Sequence, residues 1–543
     1  MALFSASESK ILDDYYKLTV SIEGSQDLKE YVEYILKVNR GDSDSWKVYR
    51  RYNDFVSLDN VLKISGYELP LPPKKWVGNK GREFVATRQK ELQNYVNVLL
   101  SIPLLEQSFP VKQFLDPDNY CFNYQELSLQ HVSMVLRSES TFQVLQPCSF
   151  MGTRIRKTYF TAESALPTDR NEYLMTWVGY GPFCNLDQKD TAAVVSCLTS
   201  ISHPFIANAN ICGAVKHGFY CVRQFERHGS VRDLLHKAKP KLDCLKKYGR
   251  QKGASSSSGG LSVPQIQSFG RQILEALKFM HSKGFAYGHL HLGNVLVSEN
   301  GCKLTDLENG LLGLSCSLRQ RVLSLKRLKS FEEIDVYSFG HCLYEMATGQ
   351  VLTSSYVDTH SLTCSTDLKN IIQSILTEDA IRSGMPTVPE LLENPFFAST
   401  PVHYLAKPQW KIAGRAKEVL TAYKAAQEFR LREDQRQVSL VKRRSRAANL
   451  TEDERRARRT AKFSSADGDA TKVNPSAQQQ QQQPPPPPPP GVPPPPPPPM
   501  PPSGDPGAAG GGQGRGALLS DIAGFRKDGL KKAVTNDRSQ PSV

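Results

Sequence analysis

The stretch from Met280 to Gly310, MHSKGFAYGHLHLGNVLVSENGCKLTDLENG, constrains the fold of this chain more than any other part of it. It places three side chains that can hold protons or cations, His289, Asn294 and Asp306, at fixed offsets among apolar residues. Imidazole titrates near neutral pH, and amide and carboxylate oxygens are ligands for magnesium. The stretch therefore contains side chains that could exchange a proton or bind a cation.

The same stretch resembles the catalytic loop and the metal-binding strand pair of a protein kinase, in the right order and spacing. An active kinase has H-R-D-L-x-x-x-N here, followed by D-F-G. This chain has Tyr287, Gly288, His289 and Leu290, then Asn294, and then Asp306-Leu307-Glu308. His289 takes the place of the aspartate that accepts the proton of the substrate hydroxyl. The resemblance implies a bilobal protein-kinase-like fold over residues 146–400 that has lost its catalytic residues, a pseudokinase.

Other stretches of this region depart from an active kinase in the same way. Cys148–Phe160, where a phosphate-binding loop belongs, contains only Gly152, and the strand-like run Glu172–Val178 lacks the expected lysine. Without glycines, backbone N–H groups cannot approach phosphates closely. Lys157, one strand earlier, is the only nearby substitute for that lysine. The helical segment before His203-Pro204 has no glutamate for the usual ion pair, and its only acids are Asp187 and Asp190.

Structural landmarks of the kinase fold persist, and they include the Asp335–Gly340 helix segment. We expect no resident cofactor, although Asn294 and Asp306 leave weak binding of ATP and magnesium open. The alternative is an atypical, weakly active serine/threonine kinase that uses His289 as its base and is targeted to phosphoinositide membranes.

The N-terminal module, residues 14–118, begins with strand-like alternation at 16–20, 31–38 and 46–49, and continues into helical runs at 50–62 and 83–100. The sequences RRYNDF and LPLPPKKW lie between these elements, and they resemble the PX (phox-homology) family. The resemblance implies a phosphoinositide site. Arg51 would clamp the 3-phosphate, Tyr52 would lie under the inositol ring, Lys74 would reach the 1-phosphate, and Arg88 would hold the far ring hydroxyls.

The ligand that this resemblance favours is phosphatidylinositol 3-phosphate. The alternative is that the basic residues are solvated surface and that Tyr52 packs in the core. Trp76, beside the proline-rich turn, is a candidate interfacial wedge because tryptophan favours the lipid headgroup level.

Composition limits the compartment and the partners. The formal net charge of +14 indicates an acidic partner such as anionic lipid, nucleic acid or actin. The eleven cysteines form no C-x-x-C pairs, which argues against a disulfide framework. Neither a signal peptide nor a long apolar run is present. We expect a cytoplasmic protein that associates peripherally with endosomal or plasma membranes.

Residues 119–145 are predicted to form a connecting segment with a helix, and residues 401–475 a charged linker, helical or disordered. Lys442–Lys462 holds nine basic residues against three acids. A solvated helical linker is favoured for this stretch over a second membrane contact, and a nuclear-import role stays open. The basic tail alone would support nucleic-acid binding, which we do not expect.

Residues 476–513 are rich in glutamine and proline, with proline runs at 484–490 and 493–499. Such runs form an extended polyproline II rod that profilin, SH3 or EVH1 domains could bind, or that could act as a spacer only. Residues 514–536 follow with an amphipathic helix pattern and an L-K-K element, and they resemble the WASP-homology actin-binding motif. The residues implied to bind actin are Leu518, Leu519, Ile522, Phe525, Leu530, Lys531 and Lys532, with Ala533 as a mild departure from the family pattern.

Together the modules predict an α+β multidomain protein. A PX domain with a small β-sheet and helices precedes a bilobal kinase-like fold and a disordered tail. This order resembles the family of PX-domain-containing serine/threonine kinase-like proteins. The resemblance implies a scaffold that links phosphoinositide-marked membrane to actin and to the trafficking of membrane proteins, whose identity the sequence leaves open.

Overall fold

The computed structural model describes residues 12–13, 15–41, 44–75, 81–121, 123–149, 151–250, 259–360, 362–402, 404 and 407–448. These residues belong to one of two compact units, Met1–Arg455, and the second unit, Arg456–Val543, lies outside them. The calls on the glutamine- and proline-rich segment and on the WASP-homology motif therefore lie outside the described residues, as does Trp76.

The N-terminal module is a three-stranded antiparallel sheet followed by five helices. The strands are β1 (Leu18–Leu28), β2 (Tyr31–Arg40) and β3 (Asp44–Arg51), in that order in the sheet. The helices are α1 (Tyr52–Leu62), α2 (Arg82–Ser101), α3 (Pro103–Glu106), α4 (Phe109–Leu115) and α5 (Pro117–Tyr120). Side chains alternate along β2, so that Tyr34, Leu36 and Val38 face the core that α2 covers with Leu92 and Tyr95.

The next lobe is a five-stranded antiparallel sheet with two helices. Helix α6 (Tyr124–Leu136) precedes strands β4 (Phe142–Cys148), β5 (Lys157–Ser164) and β6 (Glu172–Gly179), and helix α7 (Gln188–Ser196) precedes β7 (Ile211–Val215) and β8 (Gly218–Gln224). The strand order is β4-β5-β6-β8-β7. The helix expected in the connecting segment is α6, and it does more than connect, because Val132 packs in one core with Phe160 and Trp177 of the sheet.

The larger lobe is mostly helical. Its elements begin with α8 (Val231–Leu235), α9 (Cys244–Tyr248), α10 (Val263–Ser282), the strand pair β9 (Val295–Ser298) and β10 (Gly301–Leu304), α11 (Glu308–Leu311) and α12 (Arg319–Ser324). They continue with α13 (Phe331–Thr348), α14 (Thr366–Leu376), α15 (Glu378–Ser383), α16 (Val388–Glu393), α17 (Pro395–Ala398) and α18 (Gly414–Ala448). This arrangement confirms the predicted α+β architecture with a small sheet module followed by a two-lobed body.

Helix α9 joins the two modules. Leu245 on α9 is buried in the core of the N-terminal module, and the Arg250 N–H donates to the Ser65 carbonyl at 2.7 Å. Gly66 has a left-handed φ of 70°, and a Cβ there would lie 1.9 Å from the Arg250 carbonyl oxygen, so only glycine fits this approach. The two modules therefore share a packed interface.

Helix α18 packs on the kinase-like body along part of its length. Residues 401–475 are predicted to form a charged linker, helical or disordered, and the structure has a helix at Gly414–Ala448 within this range. Trp410, Ala416, Leu420 and Leu431 are buried in the core of the kinase-like body. Charged residues outnumber these buried positions along the helix, which is why composition concealed its apolar face.

Candidate functional site

The four residues expected to bind a phosphoinositide lie on the β3–α1 corner, on α2 and on the loop before α2. Arg51 is the last residue of β3, Tyr52 is the first of α1, and Arg88 lies in the middle of α2. The Tyr52 hydroxyl donates to the Pro72 carbonyl at 2.5 Å, and Arg88 Nη2 donates to the Pro73 carbonyl at 2.6 Å. These two bonds fix the proline turn that leads directly into Lys74.

Arg88 and Tyr52 form the floor of this site. The Arg88 guanidinium carbon lies 4.3 Å from the centroid of the Tyr52 ring and at the same distance from that of Phe84, an arrangement that favours cation–π attraction. Arg88 is buried, and its Nε has no partner among the described residues. A buried donor without an acceptor is costly unless a ligand satisfies it. The structure thus brings Tyr52, Arg88 and the turn before Lys74 together.

Arg51, unlike Arg88, is exposed to solvent. Its side chain is 52% exposed, and its Nε lies 3.3 Å from Asp54 Oδ1 in a surface ion pair. Surface pairs contribute little to stability, so a phosphate can compete with the carboxylate for the guanidinium. Lys74 is also exposed. The ligand contacts assigned to these residues from the sequence stay predictions.

In the kinase-like body, α13 holds the loop that contains His289. The Asp335 carboxylate accepts the Tyr287 N–H at 2.8 Å and the Gly288 N–H at 2.6 Å, and it also lies 2.8 Å from His281 Nε2. Gly288 has a left-handed φ of 67°, which a side chain would disfavour. The scaffold of a catalytic loop is therefore present, although its chemistry is changed.

His289 is buried inside this loop. Arg154 Nη2 lies 3.3 Å from His289 Nδ1 and donates to the Ser315 carbonyl at 2.6 Å. Burial, with Arg154 beside the ring, holds the pKa of His289 well below its ordinary value. The imidazole is therefore neutral, weakly basic and out of reach of solvent, which is a poor state for a general base.

The acids of the cleft are neutralised by its own cations. Lys157 Nζ lies 2.5 Å from Asp306 Oδ2, and both side chains are largely buried. Arg223, at the end of β8, makes a two-pronged bond to Glu308, with Nη2–Oε2 at 2.7 Å and Nη1–Oε1 at 3.2 Å. Burial alone would raise the pKa of Asp306, but Lys157 and Arg223 hold it below its ordinary value. Lys157 therefore stands in for the lysine that β6 lacks.

The residues at the metal-side positions do not fit a magnesium ion in this arrangement. Asp306 gives one carboxylate oxygen to Lys157, and Arg223 Nη1 lies 3.9 Å from the other. Asn294 directs its amide nitrogen to the His289 carbonyl at 3.1 Å. Magnesium needs near-octahedral oxygen ligands at short distances, and two cations already occupy the surroundings of the one carboxylate.

The mouth of the cleft is lined from both modules. The cleft has an empty volume of about 980 Å³, the solvent at its mouth included. Tyr15, just before β1, lies over Arg154, with the guanidinium carbon 4.9 Å from the ring centroid and the hydroxyl 2.9 Å from Thr153 Oγ1. Gln320 Nε2 donates to the Tyr15 carbonyl at 3.3 Å, so this segment touches both lobes.

The two acids at the start of helix α7, Asp187 and Asp190, make contacts other than one with Lys157. Asp187 caps the helix by accepting the Asp190 N–H at 2.7 Å, and Asp190 pairs with Arg415 at 2.9 Å. Both acids are thus engaged at the end of the helix.

Helix α18 covers the face of the loop that contains His289. The Tyr423 hydroxyl donates to the Gly310 carbonyl at 2.5 Å, and Lys424 pairs with Glu332. Leu420 and Tyr423 line a small cavity together with Gly288 and His289.

Three contacts of the cleft were missed from the sequence: Tyr15, Arg154 and the Arg223–Glu308 pair. The last left a readable signal, because Glu308 replaces the glycine of D-F-G and brings a buried charge that needs a cation. Tyr15 left none, since its contact joins residues far apart in the chain.

Comparison with protein families identifies three modules. A model of the PX domain matches residues 38–118, a model of the protein tyrosine and serine/threonine kinase matches 184–373, and a model of the WH2 motif matches 511–540. These matches confirm the predicted set and order of modules. No helix among the described residues is both long and apolar enough to cross a membrane.

Three curated proteins show how this chain relates to others. It is 43% identical over 440 residues to a PX domain-containing protein kinase-like protein of Mus musculus, and the match covers 80% of this chain and 75% of that protein. It is 36% identical over 225 residues to the Slowpoke-binding protein of Drosophila melanogaster, 39% of this chain and 42% of the other. It is 27% identical over 314 residues to the probable inactive serine/threonine-protein kinase slob1 of Dictyostelium discoideum, 53% and 51% of the two chains.

Proposed function

The chain belongs to the family of PX domain-containing protein kinase-like proteins, and from this premise we propose that it is a scaffold without kinase activity at phosphoinositide membranes. In this proposal the PX domain binds phosphatidylinositol 3-phosphate and the WH2 motif binds actin. The kinase-like domain, without a resident cofactor, binds proteins. The scaffold acts peripherally at endosomal or plasma membranes, in trafficking or regulation of membrane proteins.

The observation that carries this proposal is the neutralisation of the cleft. Phosphoryl transfer needs a carboxylate base and free metal ligands. Here the base position holds the buried His289, and Asp306 is committed to Lys157. Nothing in the structure favours the alternative of an atypical kinase with His289 as base. The name of the slob1 relative, a probable inactive kinase, agrees with this reading.

A lipid role for the PX domain is supported by the state of its cations. Arg51 is exposed and weakly paired, and Arg88 is buried with a free Nε beside an aromatic ring. A planar guanidinium binds a phosphate through two parallel bonds, which suits Arg51 to a ring phosphate. The choice of the 3-phosphate rests on the resemblance of Arg51-Tyr52 to the family pattern.

Actin binding is supported by the WH2 match to residues 511–540. The spacing of Leu518, Leu519, Ile522 and Phe525 predicts one apolar helical face for a hydrophobic cleft, and Lys531 and Lys532 follow these residues in the sequence. The proline runs upstream are proposed to recruit profilin, SH3 or EVH1 domains. A protein-binding role for the kinase-like domain agrees with the name of the Slowpoke-binding relative, which matches 39% of this chain.

Liposome co-sedimentation tests the lipid assignment. Wild-type protein should bind vesicles that carry phosphatidylinositol 3-phosphate in neutral lipid, and Arg51→Ala should abolish this binding. Lys47→Ala, which removes an exposed cation of the same strand, is the matched control and should bind as wild type. Retention of binding by Arg51→Ala would refute the site.

Two further measurements test the other parts. A Leu518→Ala/Leu519→Ala variant should lose binding to actin monomers while it still binds the vesicles, and Arg51→Ala should show the reverse. Phosphate transfer from labelled ATP with magnesium should not exceed that of an Asp306→Ala variant. Transfer that the Asp306→Ala substitution abolishes would favour the atypical kinase instead.

A further inference from the structure

Helix α18 has two faces of opposite character. The face toward the kinase-like body contains the buried residues Leu420, Gln427, Leu431 and Gln435. The Gln435 side-chain nitrogen lies within 3.2 Å of the carbonyl oxygens of Val322, Leu325 and Leu328. This face is fully accounted for by packing within the chain.

The opposite face is a continuous exposed stripe. Its members are three or four residues apart, so they lie above one another on the helix: Phe429, Arg432, Arg436, Leu440 and Arg443. Phe429 is 68% exposed and Leu440 is 38% exposed. At 1.5 Å per residue the stripe is about 21 Å long. Two of its side chains are apolar and three are cationic.

The last turns of the helix carry charge of one sign. No acid occurs between Asp434 and Ala448, whereas Lys442, Arg443, Arg444 and Arg446 are all exposed. None of these four forms an ion pair with another residue that the structure describes. The acids nearest the stripe are Glu428 and Glu433, and Glu433 lies 3.8 Å from Arg436 in a surface pair.

We propose that this outer face, hereafter the α18 stripe, lies on an anionic lipid surface as a second membrane contact. Arginines attract acidic headgroups, and Phe429 and Leu440 gain free energy only where apolar chains are within reach. A nucleic-acid backbone would bind the same cations, but it offers no apolar phase to an exposed phenylalanine and leucine. The combination of exposed apolar and cationic side chains on one face therefore favours lipid over a purely polyanionic partner.

The anchoring of α18 makes this contact preformed. Because Leu431 and Gln435 hold the helix on the kinase-like body, binding requires no folding of the stripe, and less conformational entropy is lost. The inference rests on the proposed membrane role of the protein. It adds a contact that needs negative headgroup charge, but no particular headgroup, to the phosphoinositide-specific one at Arg51.

Vesicles of two compositions separate the two contacts. One set contains phosphatidylserine in phosphatidylcholine without phosphoinositide, and the other contains phosphatidylinositol 3-phosphate in phosphatidylcholine alone. The stripe variant is Arg432→Gln/Arg436→Gln/Arg443→Gln. Its charge-matched control, on exposed lysines of the kinase-like body, is Lys278→Gln/Lys283→Gln/Lys326→Gln.

The full-length stripe variant should bind phosphatidylserine vesicles at least about tenfold more weakly than wild type, because each basic residue near the surface adds to the attraction. Phe429→Ser should weaken the same binding about threefold or more, since it removes the inserted apolar ring. The control should stay within about twofold of wild type, because only the stripe faces the lipid.

Three results would overturn the inference: unchanged phosphatidylserine binding by the stripe variant, an equal loss in the control, or no effect of Phe429→Ser together with full competition by duplex DNA. The phosphatidylinositol 3-phosphate vesicles distinguish a failure of the stripe proposal from a failure of the proposed lipid site. On these vesicles the stripe variant should bind as wild type and Arg51→Ala should not bind. Retained binding by Arg51→Ala would sink the lipid-site assignment whatever the stripe does.

Discussion

The candidate lipid site of the PX domain and the kinase-like cleft both contain basic side chains, but Arg51 in the first is exposed and Lys157 in the second is buried. In the PX site Arg51 is 52% exposed and has one surface carboxylate within reach. In the cleft the Lys157 side chain is 1% exposed, and it lies against Asp306 in the interior. An exposed cation keeps its capacity for a ligand, whereas the buried Lys157 is neutralised by a carboxylate of the protein itself. The basic side chains of the cleft, Lys157 and Arg223, are therefore held by acids of the protein and contribute to its structure.

The strongest test of this contrast is the removal of a buried counter-ion. Glu308→Ala leaves Arg223 buried without its two-pronged partner, and the free energy of unfolding should fall by about 3–5 kcal/mol. Urea denaturation followed by tryptophan fluorescence measures the loss. The double variant Arg223→Met/Glu308→Leu, which replaces the pair by apolar side chains, should recover most of it. An unfolding midpoint equal to that of wild type would show that the cleft charges are not structural.

A pH series sharpens the contrast at Asp306. Its pKa is held below the ordinary value of 3.8, so its carboxylate stabilises the folded state above that value and the contribution disappears as pH falls through the folded pKa. Asp306→Asn should therefore be less stable than wild type by about 3 kcal/mol near neutral pH, because Lys157 loses its partner. This difference in the free energy of unfolding should begin to shrink below about pH 3.8 and should disappear as the pH falls through the folded pKa of Asp306. A gap that is the same at every pH would contradict the ion-pair assignment.

The smallest effect is expected at the exposed cation. Arg51→Ala should change the free energy of unfolding by less than about 0.5 kcal/mol, because surface ion pairs contribute little. Urea midpoints of wild type and variant provide the measurement, with Glu308→Ala as the destabilised reference. The two variants should also differ in function, since only Arg51→Ala should lose lipid binding. A large destabilisation by Arg51→Ala would mean that this arginine serves packing as well.

Local pattern was enough to predict most of the fold. Alternation along β2 and the Asp335 segment each predict their element, because periodicity acts over a few residues. The sequence predicts Lys157 as the only nearby substitute for the lysine that β6 lacks, and in the structure Lys157 forms an ion pair with Asp306. These predictions needed no knowledge of the partner element.

The rest depended on contacts between distant parts of the chain. Tyr15 meets Arg154, Leu245 enters the core of the PX module, and Leu431 packs α18 on the larger lobe. A local sequence pattern does not predict which distant surface a highly charged segment will pack against. In α18 the many charges outweighed a sparse set of buried positions, so the helix was predicted but its packing was not.

Leu245 also bears on how the protein is made. A chain that emerges from the ribosome completes the PX module at about residue 118, but the side chain that fills part of its core follows 127 residues later. At about 5–20 residues per second, the delay is roughly 6–25 s. During this interval the nascent PX module has an unfilled apolar site next to Ser65. A chaperone that covers such sites on growing chains would have a defined window in which to act, and the window closes when α9 docks.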